Sequence, residues 1–289
     1  MRTEQEMMEL IIGTAKKDDR IRAVIMYGSR TNPNVKKDIL QDYDIVYVVR
    51  DIGSFTSDHG WVDIFGERIM MQMPEDHVLP PAQNDGRYIY LMQFTDGNRI
   101  DLTLIPVEKR EELLVSDSLS VLLLDKDGLL GEFKPPCDRD YWIRRPSEKE
   151  YVDICNEFWW ICMNVAKGLW RNELPYAMFM HEQVNRNVLI TMLEWYIGIK
   201  TDFGQSAGKH GKYMKDFLDA GEWKEYTATY SDAKLDNVWR ALFAMCSLFQ
   251  KTAIYVGDQL GFEYPAEDDR KVTEYLNKIK RISRECEQR

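Results

Sequence analysis

The sequence has no Cys-x-x-Cys pair, no apolar run near the length of a membrane span, and no excess of basic charge. Its five cysteines, Cys137, Cys155, Cys162, Cys246 and Cys286, make an odd set. That count and spacing argue against a disulfide framework and against a zinc site, so reduced thiols in a cytosol are expected. No stretch approaches the ~20 apolar residues that span a bilayer. Met1-Arg2-Thr3-Glu4-Gln5-Glu6 begins the chain without an apolar signal region. A cytoplasmic protein with no membrane partner is therefore expected. Lysine and arginine total 38 against 48 aspartate and glutamate, a net charge of −10. Nucleic-acid binders carry a basic face, so a polynucleotide partner is disfavoured. An acidic cleft would instead attract a small cationic molecule. Internal repeats and low-complexity segments are also missing.

What is present is a folded chain in two patterns. A hydrophobic content of 44% with 12% aromatics supplies a core, and 289 residues suffice for one large domain or two ordinary ones. The first part reads as mixed α/β. A helix is expected over 3–17, with Met7, Met8, Ile11 and Ile12 as its apolar stripe. Strands are expected over 21–27, 44–49, 68–73, 88–94, 99–106 and 121–124, and a short helix over 107–114. Asp96-Gly97 marks a hairpin turn that sets the strand bearing Asp101 antiparallel to the one before it. Three of the ten prolines then fall at Pro135, Pro136 and Pro146, the composition of a linker. Ser147-Glu148-Lys149-Glu150 is a capping box. Beyond it, helices are expected over 148–170, 176–199, 213–218, 235–257 and 268–285. The expected class is α+β: a mixed β-sheet flanked by helices over 1–134, then a helical domain over 135–289.

The chemistry gathers in two short pieces. Tyr27-Gly28-Ser29-Arg30 ends one apolar strand, and Asp42-Tyr43-Asp44 begins the next. Side chains alternate along a strand, so Asp42 and Asp44 point to one side. Two such carboxylates repel unless a cation lies between them, and hard oxygen ligands suit Mg²⁺ together with substrate phosphates. A Gly-Ser turn brings backbone N–H groups close to a phosphate. Asp101 lies in an otherwise apolar strand, where an unpartnered aspartate is costly. It either pairs with a nearby Arg or Lys or joins the first two from an adjacent strand. Separately, these pieces are ordinary turns and solvated edges; jointly they suggest metal-assisted chemistry on a nucleoside triphosphate.

Gly28-Ser29-Arg30, Asp42-x-Asp44 and Asp101 resemble the nucleotidyltransferase superfamily, whose fold is shared with DNA polymerase β. More narrowly, 27–34, 41–49, 98–102, 156–160 and 208–213 resemble the aminoglycoside 6-adenylyltransferases, also called streptomycin adenylyltransferases, over nearly the whole chain. The resemblance implies transfer of AMP from ATP to a hydroxyl of an aminoglycoside, position 6 of streptomycin, with pyrophosphate released and resistance conferred. It implies nucleotide on the sheet and acceptor between sheet and helices.

On that reading Asp42 and Asp44 are metal ligands for Mg²⁺, two ions being expected, and Asp101 is the third ligand or the general base. Gly28 and Ser29 hold the β- and γ-phosphates, and Arg30 is a further phosphate contact unless it is a solvent-facing loop residue. Gly208-Lys209-His210-Gly211-Lys212 is a second phosphate element or a plain basic loop, with Lys212 favoured over Lys209; it lacks P-loop spacing. A guanidino-cyclitol calls for carboxylates and aromatic faces, for which Glu157, Trp159, Trp160 and Glu182 are candidates. Either tryptophan can instead be core, and Glu182 can pair with Arg186 one turn on. Two other functions compete: the same transfer to another antibiotic, a protein or a tRNA, and a nucleotide-binding module without turnover.

Overall fold

Alternating apolar residues build the strands of one sheet. In a computed structural model that describes residues 1–113 and 117–287, the chain divides into two compact units, Met1–Asp140 and Tyr141–Arg289. The class is α+β, and the helical part follows the sheet.

The first unit starts with α1 (Glu4–Lys17), opened by a Thr3/Glu6 capping box. Then come β1 (Ile21–Tyr27), β2 (Tyr43–Val49), the short α2 (Gly53–Thr56), β3 (Arg68–Gln72), β4 (Tyr88–Phe94), β5 (Arg99–Pro106), the short α3 (Arg110–Leu113) and β6 (Ser120–Asp125). The end of the helix expected over 107–114, Leu114, lies outside the described residues. The six strands run β3-β4-β5-β2-β1-β6. β2 and β5 are parallel, and every other neighbouring pair is antiparallel.

The period of two gives the sheet two different faces. Tyr43, Ile45 and Tyr47 of β2, with Ile100, Leu102 and Leu104 of β5, pack under Met7, Ile11 and Ala15 of α1. The Tyr47 hydroxyl donates to the Ile11 carbonyl at 2.7 Å and ties that face to the helix. On the opposite face Ala23, Ile25, Val46, Val48 and Ile105 form a smaller core with Leu130 and Phe133. The Asp96-Gly97 turn joins β4 to β5 as expected, with Gly97 at φ +88° and Phe94 N–H donating to Asn98 O at 2.9 Å. Arg2 fastens this turn, donating to Asp96 from its backbone N–H and its Nε and to the Phe65 carbonyl from its other end.

The second unit is helical: α4 (Glu148–Trp170), α5 (Leu174–Met178), α6 (Arg186–Lys200), α7 (Met214–Phe217), α8 (Ala220–Thr227), α9 (Leu235–Leu260) and α10 (Ala266–Glu287). The Ser147/Glu150 capping box opens α4 as expected. The single helix expected over 176–199 is broken into α5 and α6 by a π-helical stretch, Phe179–Asn185. α8 was not expected, although Asp219 and Glu222 form a capping box at its start. Tyr151, Phe158, Leu189, Leu193, Leu242 and Phe249 are among the residues of one continuous core. Among the described residues no helix is long and apolar enough to cross a membrane.

Candidate active site

Three strands bring the first site to one edge of the sheet. β2 and β5 run in the same direction, so both begin at that edge; β1 runs opposite and ends there. Tyr27 stands opposite Asp44, and Asp44 opposite Asp101, so the three occupy one row across β1, β2 and β5. By alternation the row lies on the face away from α1, where Val46, Val48 and Ile105 follow it.

Glycine is required at position 28 on two counts. Its φ is +79°, the left-handed region, and a Cβ built there would stand 2.3 Å from Oδ2 of Asp44. The Asp44 carboxylate therefore lies against the turn itself. The turn is a single 3₁₀ winding, Gly28–Arg30, pinned by Thr31, whose hydroxyl donates to the Gly28 and Leu119 carbonyls at 2.8 Å each. The Ser29 hydroxyl makes no hydrogen bond among the described residues. Arg30 has another task than the expected phosphate contact. It is buried, donates to the Gln41 and Asp42 carbonyls, and stacks on Tyr43 with its guanidinium carbon 3.7 Å from the ring centre. It braces the backbone that carries Asp42.

Burial first, then the charges of Asp101 and Asp42, push the Asp44 carboxyl up to about 6. Burial also raises Asp42, against the pull of Arg99. No hydrogen bond or ion pair reaches the Asp44 carboxylate among the described residues. Asp101 is treated differently: Arg99 donates to both of its oxygens, at 2.7 and 2.8 Å, and stands 3.7 Å from Asp42. Two of the three carboxylates thus share one guanidinium, and Asp44 is left out. Among the described residues no three His, Cys, Asp or Glu side chains are drawn together tightly enough to enclose a metal ion. Arg99 holds Asp101 to itself. The donor chemistry still suits a hard divalent cation: oxygen ligands, an excess of negative charge, and a half-buried carboxylate that nothing neutralises.

In the second unit the expected acceptor residues do not share a surface. Trp159 is 2% exposed and lies edge-on to Phe158 and Phe249 in the core, whereas Trp160 is 59% exposed. Neighbours on a helix point about 100° apart, which here puts Trp159 in the core and Trp160 at the surface. Glu157 is exposed near Trp160. Glu182 is committed to Arg186, which donates to both its oxygens, to the Thr229 hydroxyl and carbonyl, and stacks on Tyr230. His181 Nε2 donates to the Thr229 carbonyl at 3.0 Å, and burial holds its pKa down, so the ring is neutral. Lys212 is exposed, with its ammonium 4.9 Å from the Tyr213 ring centre.

Sequence reasoning missed a cleft of about 770 Å³ in this unit, lined by 141–146, the start of α4, one side of α6 and 206–210. Three of its lining residues, Thr191, Glu194 and Trp195, have helical spacing on α6, a signal that could have been read.

The chain matches the family model described as streptomycin adenylyltransferase over residues 1–279. It is 42% identical to an aminoglycoside 6-adenylyltransferase of Bacillus subtilis over 96% of this chain and 98% of that one. It is 41% identical to one from Campylobacter jejuni, over 97% of each. A crystal structure of an aminoglycoside 6-adenyltransferase from Bacillus subtilis aligns with 96% of this chain and 99% of its own, at 38% identity and a TM-score of 0.48. With the Gly28 turn, the Asp-x-Asp strand and the strand aspartate on one edge of its sheet, the chain belongs to the streptomycin adenylyltransferase family.

Proposed function

We propose that the chain transfers AMP from ATP to a hydroxyl of an aminoglycoside, position 6 of streptomycin, releasing pyrophosphate and conferring resistance. The observation that carries this reading is the packing of the Gly28 turn against Asp44, in register with Asp101. Such a site needs a tight glycine turn for a polyphosphate and adjacent carboxylates to balance it.

Gly28 lets the backbone come close to the β- and γ-phosphates, and Ser29 adds a free hydroxyl donor. Asp42, Asp44 and Asp101 would hold magnesium, two ions being the number suited to in-line displacement. Bound there, magnesium offsets the charge on the attacking and leaving oxygens. The acceptor hydroxyl oxygen bonds to the α-phosphorus as the bond to pyrophosphate breaks, and the hydroxyl proton passes to a carboxylate of the Asp42, Asp44 and Asp101 set. Asp101 accepts one N–H of Arg99 at each oxygen and keeps a lone pair on each for a cation or a proton. A polyphosphate is a fitting further partner for the planar fork of Arg99. Arg30 keeps Asp42 in place throughout. Lys212 is exposed and, among the described residues, paired with no carboxylate, which leaves its ammonium available to an anion.

The test is incubation of the full chain with α-labelled ATP, Mg²⁺ and a panel of aminoglycosides. Labelled streptomycin with one pyrophosphate per product is expected. Label on protein or RNA, or ATP binding without pyrophosphate, overturns the reading. Product spectroscopy that finds AMP at another hydroxyl overturns the assigned position.

A further inference from the structure

The cleft of the helical unit holds an acid that has no structural employment. Its walls are Tyr141–Pro146, the first turns of α4, α6, and the loop 206–210. Two of these walls are joined directly, since Ile143 N–H donates to the Gln205 carbonyl at 2.9 Å. The charged groups lining the cleft are Glu150, Asp153 and Glu194 on the acid side, and Arg144, Arg145 and Lys209, with His210, on the basic side.

The acids differ in what they already do. Glu150 completes the capping box, accepting from the Ser147 N–H at 2.7 Å and the Ser147 hydroxyl at 2.8 Å. Asp153 is paired with Lys149. Glu194 has no hydrogen bond or ion pair among the described residues. It is half-buried, and burial alone raises its pKa, with no neighbouring cation to offset it. Carboxylates in that state are rare unless a ligand supplies the missing charge. Beside it on α6 lie Trp195, which is nearly buried, and Thr191 one turn back. A carboxylate against an indole, with a hydroxyl at hand, is the receptor expected for a planar cation on a hydroxylated ring.

We propose that this cleft is the acceptor subsite, in which Glu194 takes a guanidinium or ammonium group of the aminoglycoside and Trp195 supports the ring that carries it. The proposal rests on the aminoglycoside reading above. It replaces the set Glu157, Trp159, Trp160 and Glu182, which the fold scatters between surface, core and an internal ion pair. The cations of the cleft are Arg144, Arg145 and Lys209, with Arg144 beside Glu150, so Glu194 is the acid left for a cationic ligand.

The experiment compares full-length wild type, Glu194→Gln and Glu194→Asp, with streptomycin and ATP as probes. Removing one charge-assisted partner from a partly desolvated site is expected to raise the streptomycin KM about 10–100-fold. The ATP KM and kcat should stay within about twofold, and Glu194→Asp should recover part of the loss. Calorimetric titration of streptomycin without ATP should show the same weakening in Kd. Thermal melting should be unchanged or higher in Glu194→Gln, which excludes misfolding as the cause. An active wild type with an unaltered streptomycin KM in Glu194→Gln overturns the subsite and leaves the function standing. A wild type that neither binds nor adenylylates any aminoglycoside overturns both. Equal loss of ATP and streptomycin affinity also overturns the subsite.

Discussion

Asp44 in the sheet unit and Glu182 in the helical unit are both partly buried carboxylates, and they have opposite surroundings. Glu182 is gripped by Arg186, whose remaining N–H groups reach Thr229 and whose plane lies on Tyr230. Its charge is spent inside the fold. Asp44 has no such partner, and two further carboxylates raise its pKa in addition to burial. Uncompensated charge of that kind lowers stability, and it persists where something outside the chain makes use of it. The comparison teaches that a carboxylate's partners, more than its depth, separate a working group from a structural one.

Mutation should separate the two. Asp44→Asn, or Asp42→Asn, is expected to lower kcat/KM for adenylyl transfer by about a thousandfold or more while circular dichroism stays native. Rates near wild type in either variant would remove the metal assignment. Glu182→Ala should do the reverse. It strands a buried guanidinium and is expected to cost about 3–5 kcal/mol of unfolding free energy, measured by urea titration, with the remaining folded enzyme keeping its ATP KM. A loss below about 1 kcal/mol would make Glu182 as idle as Asp44.

The two adjacent tryptophans repeat the contrast within one helix. Trp159→Ala is expected to destabilise by about 3–5 kcal/mol, whereas Trp160→Ala should stay within about 0.5 kcal/mol. Similar melting shifts for both would contradict the orientation of α4. Gly28→Ala tests the turn: the left-handed backbone and the clash with Asp44 should cost about 1–3 kcal/mol and most of the activity. A variant with full activity would detach that turn from the chemistry.

The smallest effect is one of pH. The Asp44 pKa rises from the ordinary carboxylate value of 3.8 to about 6 on folding. A raised folded pKa stabilises when the group is protonated. That contribution is present in full below pH about 4 and is lost as pH climbs through about 6. Its size is ~3 kcal/mol for a shift of this order. Metal-free wild type should therefore lose stability relative to Asp44→Asn between those pH values, and added Mg²⁺ should restore part of it at pH 8. Parallel stability curves for the two proteins would show that Asp44 is not the strained group.

Much of the sheet unit was readable because period-two alternation and one Asp-Gly turn settle strand identity and hairpin direction. The same alternation put Asp101 on the face opposite Ile100 and Leu102. Arg99 lies two residues from Asp101, on the same side of β5, and the fold realises that pairing. The helical unit was less legible. Its helices are long and strongly patterned, yet the pattern leaves open which of two neighbouring tryptophans faces inward until the Cys155, Phe158, Cys162 and Val165 stripe is packed. The short α8 escaped because eight residues carry little periodicity, even with a capping box in front. Of the cleft around Glu194 only the α6 wall, Thr191, Glu194 and Trp195, had a signal in the sequence, since 141–146 and 206–210 meet only in three dimensions.

The clasp between Arg2 and the Asp96 turn has a reach beyond its own location. A hairpin that slipped by a single residue would swing Asp101 under α1 and present Ile100 or Leu102 where an acid is needed. Arg2 thus acts as a ratchet pawl for a carboxylate on another strand. Arg2→Ala should blunt turnover without any change in the groups that perform it.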